Sequence, residues 1–222
     1  MADEPTTLAA LIEAQAKALG EKPFLHFEDR VVSFAELNRQ VNRAAHGLTG
    51  LGVKAGVGVS IMMPNSPEWL FVYFATQRLG AYAVPVNVGL RGEGLRHVVD
   101  HSDSSVLVCH PDYLETIQAI RGSLSKLEQI VVDASEAPKD WKPPEGWQAL
   151  SGLMQAPDTN PQVKIEEGAM SVLLYTSGTT GPPKGVVSRY QTMATPGATM
   201  LGAVLGPGDV LYTCLLYTSD AA

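Results

Sequence analysis

The residues of this chain best suited to chemistry lie in one stretch, Tyr175-Thr-Ser-Gly-Thr-Thr-Gly-Pro-Pro-Lys-Gly-Val-Val187. Thr176, Ser177, Thr179 and Thr180 supply hydroxyls that can donate to an anion. Gly178 and Gly181 lack a Cβ, so the backbone can turn sharply and bring its N–H groups against a ligand. Lys184 adds a mobile point charge. Together these residues read as a device for holding the phosphates of ATP. A plainer reading stands beside it, because Gly, Ser, Thr and Pro also make up ordinary polar loops and most lysines are surface residues.

The flanks narrow the choice among phosphate motifs. The apolar run 169–175 predicts a buried strand entering the loop, and 185–187 a short strand leaving it. The loop therefore crosses from strand to strand. A P-loop of the kinase or GTPase type needs Gly-Lys followed by a hydroxyl at the start of a helix. Here Gly181 is followed by Pro182 and Pro183, and Lys184 by Gly185. Two prolines at that point oppose a helix, since each lacks an N–H and restricts the residue before it. The Rossmann spacing of glycines is absent from the loop as well.

These residues need a scaffold, and the chain is long enough to build one. It has 222 residues, 45% of them hydrophobic, which predicts one large domain or part of one. A net charge of −7 with no Lys/Arg cluster argues against a nucleic-acid partner. The two cysteines, Cys109 and Cys214, form no C-x-x-C pair, which argues against zinc and against a disulfide framework. His110, directly after Cys109, is expected at a strand end. The acidic N-terminus shows no secretory leader, so the expected location is cytoplasmic, with peripheral membrane attachment left open. The apolar window 69–90 is interrupted by Gln77, Arg78, Gly80 and Pro85, and reads as a core helix followed by a strand.

Periodicity predicts a helix over 8–19, a hairpin of strands 24–27 and 30–32 turning at Glu28-Asp29, and a second helix from a capping box, Ser33-Phe-Ala-Glu36. A strand over 57–63 follows. Ser66 then supplies an N-cap and Pro67 a first helical residue for a helix ending at Gly80. Further along, strands are expected at 81–86, 105–109 and 127–132, and helices at 90–101 and 113–123. Strands alternating with helices predict an α/β fold with a largely parallel, helix-covered sheet. The proline-rich stretch 134–162 reads as a surface connection with room for short strands of its own. His26 and His46 read as packed or surface histidines.

The ordered string from Tyr175 to Gly185 resembles the phosphate-loop signature Tyr-Thr-Ser-Gly-Thr-Thr-Gly-x-Pro-Lys-Gly of the adenylate-forming (AMP-binding) superfamily. That group includes acyl-CoA synthetases, luciferases and peptide-synthetase adenylation domains. The likeness continues through Ser33-Phe-Ala-Glu-Leu37, Asn42-Arg-Ala-Ala-His-Gly-Leu48, the segment 56–68 and Gly80-Ala-Tyr-Ala-Val-Pro-Val-Asn87. A narrower likeness, carried by Asn87-Val-Gly-Leu-Arg91, Leu95, His97 and Ser188-Arg-Tyr190, is to the long-chain and very-long-chain acyl-CoA synthetases of the fatty-acid transport protein group. For Arg91 and His97 the plainer reading is a solvated helix face.

The resemblance implies the N-terminal part of an adenylation domain over 1–213, incomplete, with helix-covered sheets. It implies a ligase that joins a carboxylate, by this likeness a fatty acid, to AMP and then to coenzyme A. ATP, Mg²⁺ and coenzyme A are its implied cofactors and co-substrates. Thr176 is the implied magnesium contact, Ser177, Gly178, Thr179, Thr180 and Gly181 surround the β- and γ-phosphates, and Lys184 lies nearby. No catalytic residue of the family falls inside the chain, which is expected to be inactive alone. A peptide-synthetase adenylation domain and a non-catalytic anion-binding protein are the alternatives. After Thr213 the family usually continues x-Pro-Leu-[Phe/Tyr]-His, whereas this chain reads Cys214-Leu-Leu-Tyr-Thr-Ser-Asp-Ala-Ala222. That string resembles a translated sequencing adapter, so 214–222 is expected to be non-native.

Overall fold

A computed structural model describes residues 7–138, 140–176, 182–190, 206 and 209–211. Its first elements follow from local signals. Helix α1 (Leu8–Leu19) starts where the Thr7 hydroxyl accepts from the Ala10 N–H and stops at Gly20, whose φ of 55° suits a residue without Cβ. Strands β1 (Pro23–Phe27) and β2 (Arg30–Ser33) form the expected hairpin. Helix α2 (Phe34–Gly50) is capped by Ser33, which accepts from the Glu36 N–H. Glu36 turns its own carboxylate to Arg39 and Gln40.

Strand β3 (Gly58–Met62) leads to α3 (Pro67–Arg78), capped by Ser66 with Pro67 at its start as expected. Strand β4 (Tyr82–Pro85), helix α4 (Gly92–His101), strand β5 (Ser104–Cys109), helix α5 (Leu114–Arg121) and strand β6 (Gln129–Val132) continue the alternation. The proline-rich connection carries a two-residue strand, β7 (Gln148–Ala149), and a short helix, α6 (Leu150–Leu153). The last described strands are β8 (Met170–Thr176) and β9 (Lys184–Arg189).

Seven strands form one sheet in the order β7-β6-β5-β3-β4-β8-β9. Every neighbouring pair is parallel except β8 and β9, which are antiparallel. The central strands read as continuous apolar runs because both faces are covered. Side chains alternate between two layers, as the two-residue period requires. Val59, Ile61, Val106, Val108 and Val131 pack on the layer of α2, α3 and α6, with Ala44, Leu48, Val72, Ala75 and Leu153. Met62, Leu107, Cys109, Ile130 and Val132 face the layer of α4 and α5, with Leu95, Val98, Val99, Ile117 and Ile120. A smaller cluster of Ile12, Val32, Leu37, Val41 and Phe71 seats α1 and the hairpin.

Arg78 is the largest fully buried side chain, 2% exposed. It donates to Asn38 Oδ1, Asn42 Oδ1 and the Ala9 carbonyl, so α1 and α2 are tied to the end of α3. Burial lowers its guanidinium pKa to about 10. Among the described residues no helix is long and apolar enough to cross a membrane.

Candidate functional site

Strands β8 and β9 present the site. The run entering the loop is apolar because Ser171, Val172 and Leu173 are buried, Val172 lying against Ala83 of β4. Full burial ends after Leu173, for Leu174 is 43% exposed and Tyr175 only partly buried. The outgoing strand is longer than its sequence suggests, and Lys184 is its first residue. The register runs from Met170 opposite Arg189 to Thr176 opposite Lys184.

Thr176 and Lys184 are therefore directly opposed at the mouth of the loop. Opposed residues of an antiparallel pair share a face, with Cβ atoms about 5 Å apart. Both side chains are exposed. Among the described residues Lys184 makes no ion pair. Ser177, Gly178, Thr179, Thr180 and Gly181 lie outside the described residues. Because β8 runs parallel to β4, the loop leaves from the same end of the sheet as the carboxyl ends of the central strands. Ligands of open α/β sheets bind at that end.

Helix α4 supplies contacts that the residue types alone did not reveal. His97 and His101, four residues apart, lie on one face of the helix, with rings stacked at 5.1 Å. His97 Nε2 is 3.0 Å from the Pro183 carbonyl oxygen, and His101 Nδ1 is 2.7 Å from the Tyr175 hydroxyl. The Tyr175 ring meets both imidazoles edge-on. Burial, and then the charge of Asp103, pushes the Tyr175 phenol up to about 12. His97 is thus no solvated residue. Arg91 is exposed, yet its guanidinium binds the Val88 and Leu90 carbonyls and lies 5.8 Å over the Tyr113 ring, holding the turn into α4.

Tyr190, just beyond β9, is 7% exposed and anchors the hairpin from behind. Its hydroxyl donates to the Ala81 carbonyl at 2.7 Å, with the Gln77 carbonyl at 3.2 Å, while its backbone N–H bonds Ala169. Gln77 in turn donates to the Ser171 carbonyl at 2.9 Å. The histidine spacing was visible in the sequence. Nothing local marked Tyr190 as buried.

Other reactive types stand apart from the loop. Cys109 is buried and its thiol is pushed up to about 12, chiefly by burial and then by the Asp133 charge. His110 sits at the strand end, as expected, and its Nδ1 accepts from the Asp112 N–H. His46 Nε2, on α2, lies 2.9 Å from the Thr159 carbonyl oxygen. Among the described residues no group of three or more His, Cys, Asp or Glu is arranged to hold a metal.

Comparison with known proteins agrees with this architecture. A family model described as AMP-binding enzyme matches residues 12–220. A long-chain-fatty-acid–CoA ligase of Thermus thermophilus is 32% identical over 197 residues, which is 87% of this chain and 35% of the relative. The crystal structure of the anthranilate CoA ligase AuaEII in complex with anthranoyl-AMP superposes with a TM-score of 0.77 at 28% identity, covering 84% of this chain and 35% of that one. The N-terminal domain of FACL13 from Mycobacterium tuberculosis superposes with a TM-score of 0.68 at 28% identity, covering 83% of this chain and 44% of that one. The chain thus spans about a third of its full-length relative and has the fold of an N-terminal adenylation domain. It belongs to the AMP-binding enzyme family.

Proposed function

We propose that the complete protein carrying this chain is an acid–CoA ligase that activates a carboxylate as an acyl-adenylate, releases pyrophosphate and passes the acyl group to coenzyme A. The observation that carries the reading is the opposition of Thr176 and Lys184 at the mouth of the hydroxyl- and glycine-rich loop. A carboxylate must approach the α-phosphate of ATP against charge repulsion. Catalysis of that step rests on donors already aimed at the triphosphate, so that little reorganises when charge moves. An ammonium and several hydroxyls on one hairpin meet this demand, each charge-assisted bond being worth about 1.5–3 kcal/mol. The ammonium neutralises, and the hydroxyls and backbone N–H groups orient.

A neutral hydroxyl is a fit partner for Mg²⁺ only where phosphate oxygens supply most of the ligands, and Thr176 offers that single oxygen. The ion, when bound, would withdraw charge from the triphosphate. Ser177 to Gly181 complete the phosphate contacts in this reading.

The carboxylate assigned here is a fatty acid. The likeness of Asn87 to Arg91, Leu95, His97 and Ser188 to Tyr190 to the long-chain and very-long-chain synthetases supports it. The test is thioester formation by the complete protein with ATP, Mg²⁺, coenzyme A and, in parallel, palmitate, benzoate and indoleacetate. Palmitoyl-CoA as the fastest product is the expected result. Thioester formed only from an aromatic acid would overturn the substrate, and none from any acid would overturn the ligase.

A further inference from the structure

The histidine pair of α4 reaches both shoulders of the loop. Tyr175 lies just before it and Pro183 just before Lys184, and each is bonded to one imidazole of the same helix face. A carbonyl oxygen only accepts, so the Pro183 bond requires a proton on His97 Nε2. That bond holds the peptide plane between Pro183 and Lys184, while the proline ring fixes the other side of the carbonyl. The helix beneath is a firm support, since Leu95 and Val98 are fully buried on the sheet.

The outgoing strand needs such support. β9 is exposed along its whole length and pairs only with β8 among the described strands. Tyr190 pins its far end, and His97 is the side chain that reaches its loop end. The Tyr175 hydroxyl on His101 does the same for the incoming strand, and ring stacking joins the two supports.

We propose that His97 is a positioning residue for ATP, holding the Pro183 carbonyl so that Lys184 and Thr176 face the triphosphate together, with His101 and Tyr175 as the second half of the brace. This rests on the ligase reading above. Neither histidine touches substrate in this account. Both act through the loop.

The test uses the complete protein with His97→Ala and His97→Gln, the second keeping an N–H donor of similar reach. Pyrophosphate exchange gives KM for ATP and kcat, hydrogen exchange reads the backbone of 184–189, and thermal unfolding reads the fold. The brace predicts that His97→Ala raises KM for ATP about fivefold or more. It also predicts faster hydrogen exchange at 184–189, and recovery of both by His97→Gln. Wild-type KM and hydrogen exchange in His97→Ala would overturn it. So would a His97→Gln variant as impaired as His97→Ala, which would make the contact mere packing. If wild type shows no pyrophosphate exchange, the ligase reading fails while the brace is still decided: faster hydrogen exchange in His97→Ala with recovery in His97→Gln supports it, and unchanged hydrogen exchange overturns it.

Discussion

Lys184 and Thr176 share one register position, and neither side chain fills the core. Removing either should therefore change chemistry and leave the fold intact. In the complete protein Lys184→Ala and Thr176→Ala should each slow adenylation about tenfold or more, because losing one charge-assisted contact costs on the order of 1.4 kcal/mol or above. Melting temperatures should stay near wild type, since exposed positions seldom carry more than about 0.5 kcal/mol. Calorimetry beside initial rates checks both halves, and a parallel loss of stability would assign the residues to the fold. Cys109 is the opposite case. Its thiol keeps its proton to about pH 12 in the folded chain against an ordinary thiol value of 9.0. The stability this contributes is full below about pH 9 and is lost as the pH rises towards about 12, because the unfolded chain releases that proton first. In a Cys214→Ser background, a thiol reagent at about pH 8 should label Cys109 only after unfolding. Denaturation at about pH 8 and about pH 10.5 should show a steeper loss of stability than in Cys109→Ala. Labelling of the folded protein at the rate of a free thiol would contradict the burial.

At the scale of elements, caps and turns were legible because each is written in adjacent residues. Ser33 and Ser66 accept from the N–H three residues on, Pro67 opens its helix, and Gly80 closes it with a φ of 65°. What adjacent residues do not write is which helix meets which. Gly47 shows this. A Cβ there would stand 2.7 Å from Leu153 Cβ and 2.8 Å from its carbonyl oxygen, so α2 meets α6 closely only because position 47 is glycine. Gly50, one turn on, has nothing within 4 Å of a built Cβ. Gly47→Ala should therefore cost about 1–3 kcal/mol by forcing the two helices apart. Gly50→Ala should be neutral or stabilise by up to about 1 kcal/mol through helix propensity. Urea midpoints of the two variants check the pair, and equal effects would mean that the α2–α6 contact does not form. The same limit explains the proline-rich connection. Its prolines announced a surface path, while the pairing of Gln148 with Val131 depends on the preceding strand, β6, beyond the reach of any local pattern.

For the molecule as a whole, the fold class was legible and the order of the sheet was not. Alternating apolar runs and helical periods gave parallel, helix-covered strands, because every central strand is buried on both faces. The order β7-β6-β5-β3-β4-β8-β9 depends on contacts between distant strands, which no local pattern records. The candidate site divides in the same way. Its loop chemistry was visible in Thr176 to Lys184, but the brace from His97 and His101 spans 86 and 74 residues of sequence. Tyr190, more than a hundred residues from Gln77 and Ala81, was equally hidden. The fold thus carries the loop on a hairpin gripped by α4 on one side and by the end of α3 on the other. What matters most for the proposed chemistry is whether this gripped loop holds the triphosphate of ATP during adenylate formation. Acid-dependent exchange of pyrophosphate into ATP by the complete protein, wild type beside Lys184→Ala, tests it most directly. Exchange should require a fatty acid and fall about tenfold or more in the variant with the fold unchanged. Equal exchange by wild type and variant would contradict that role.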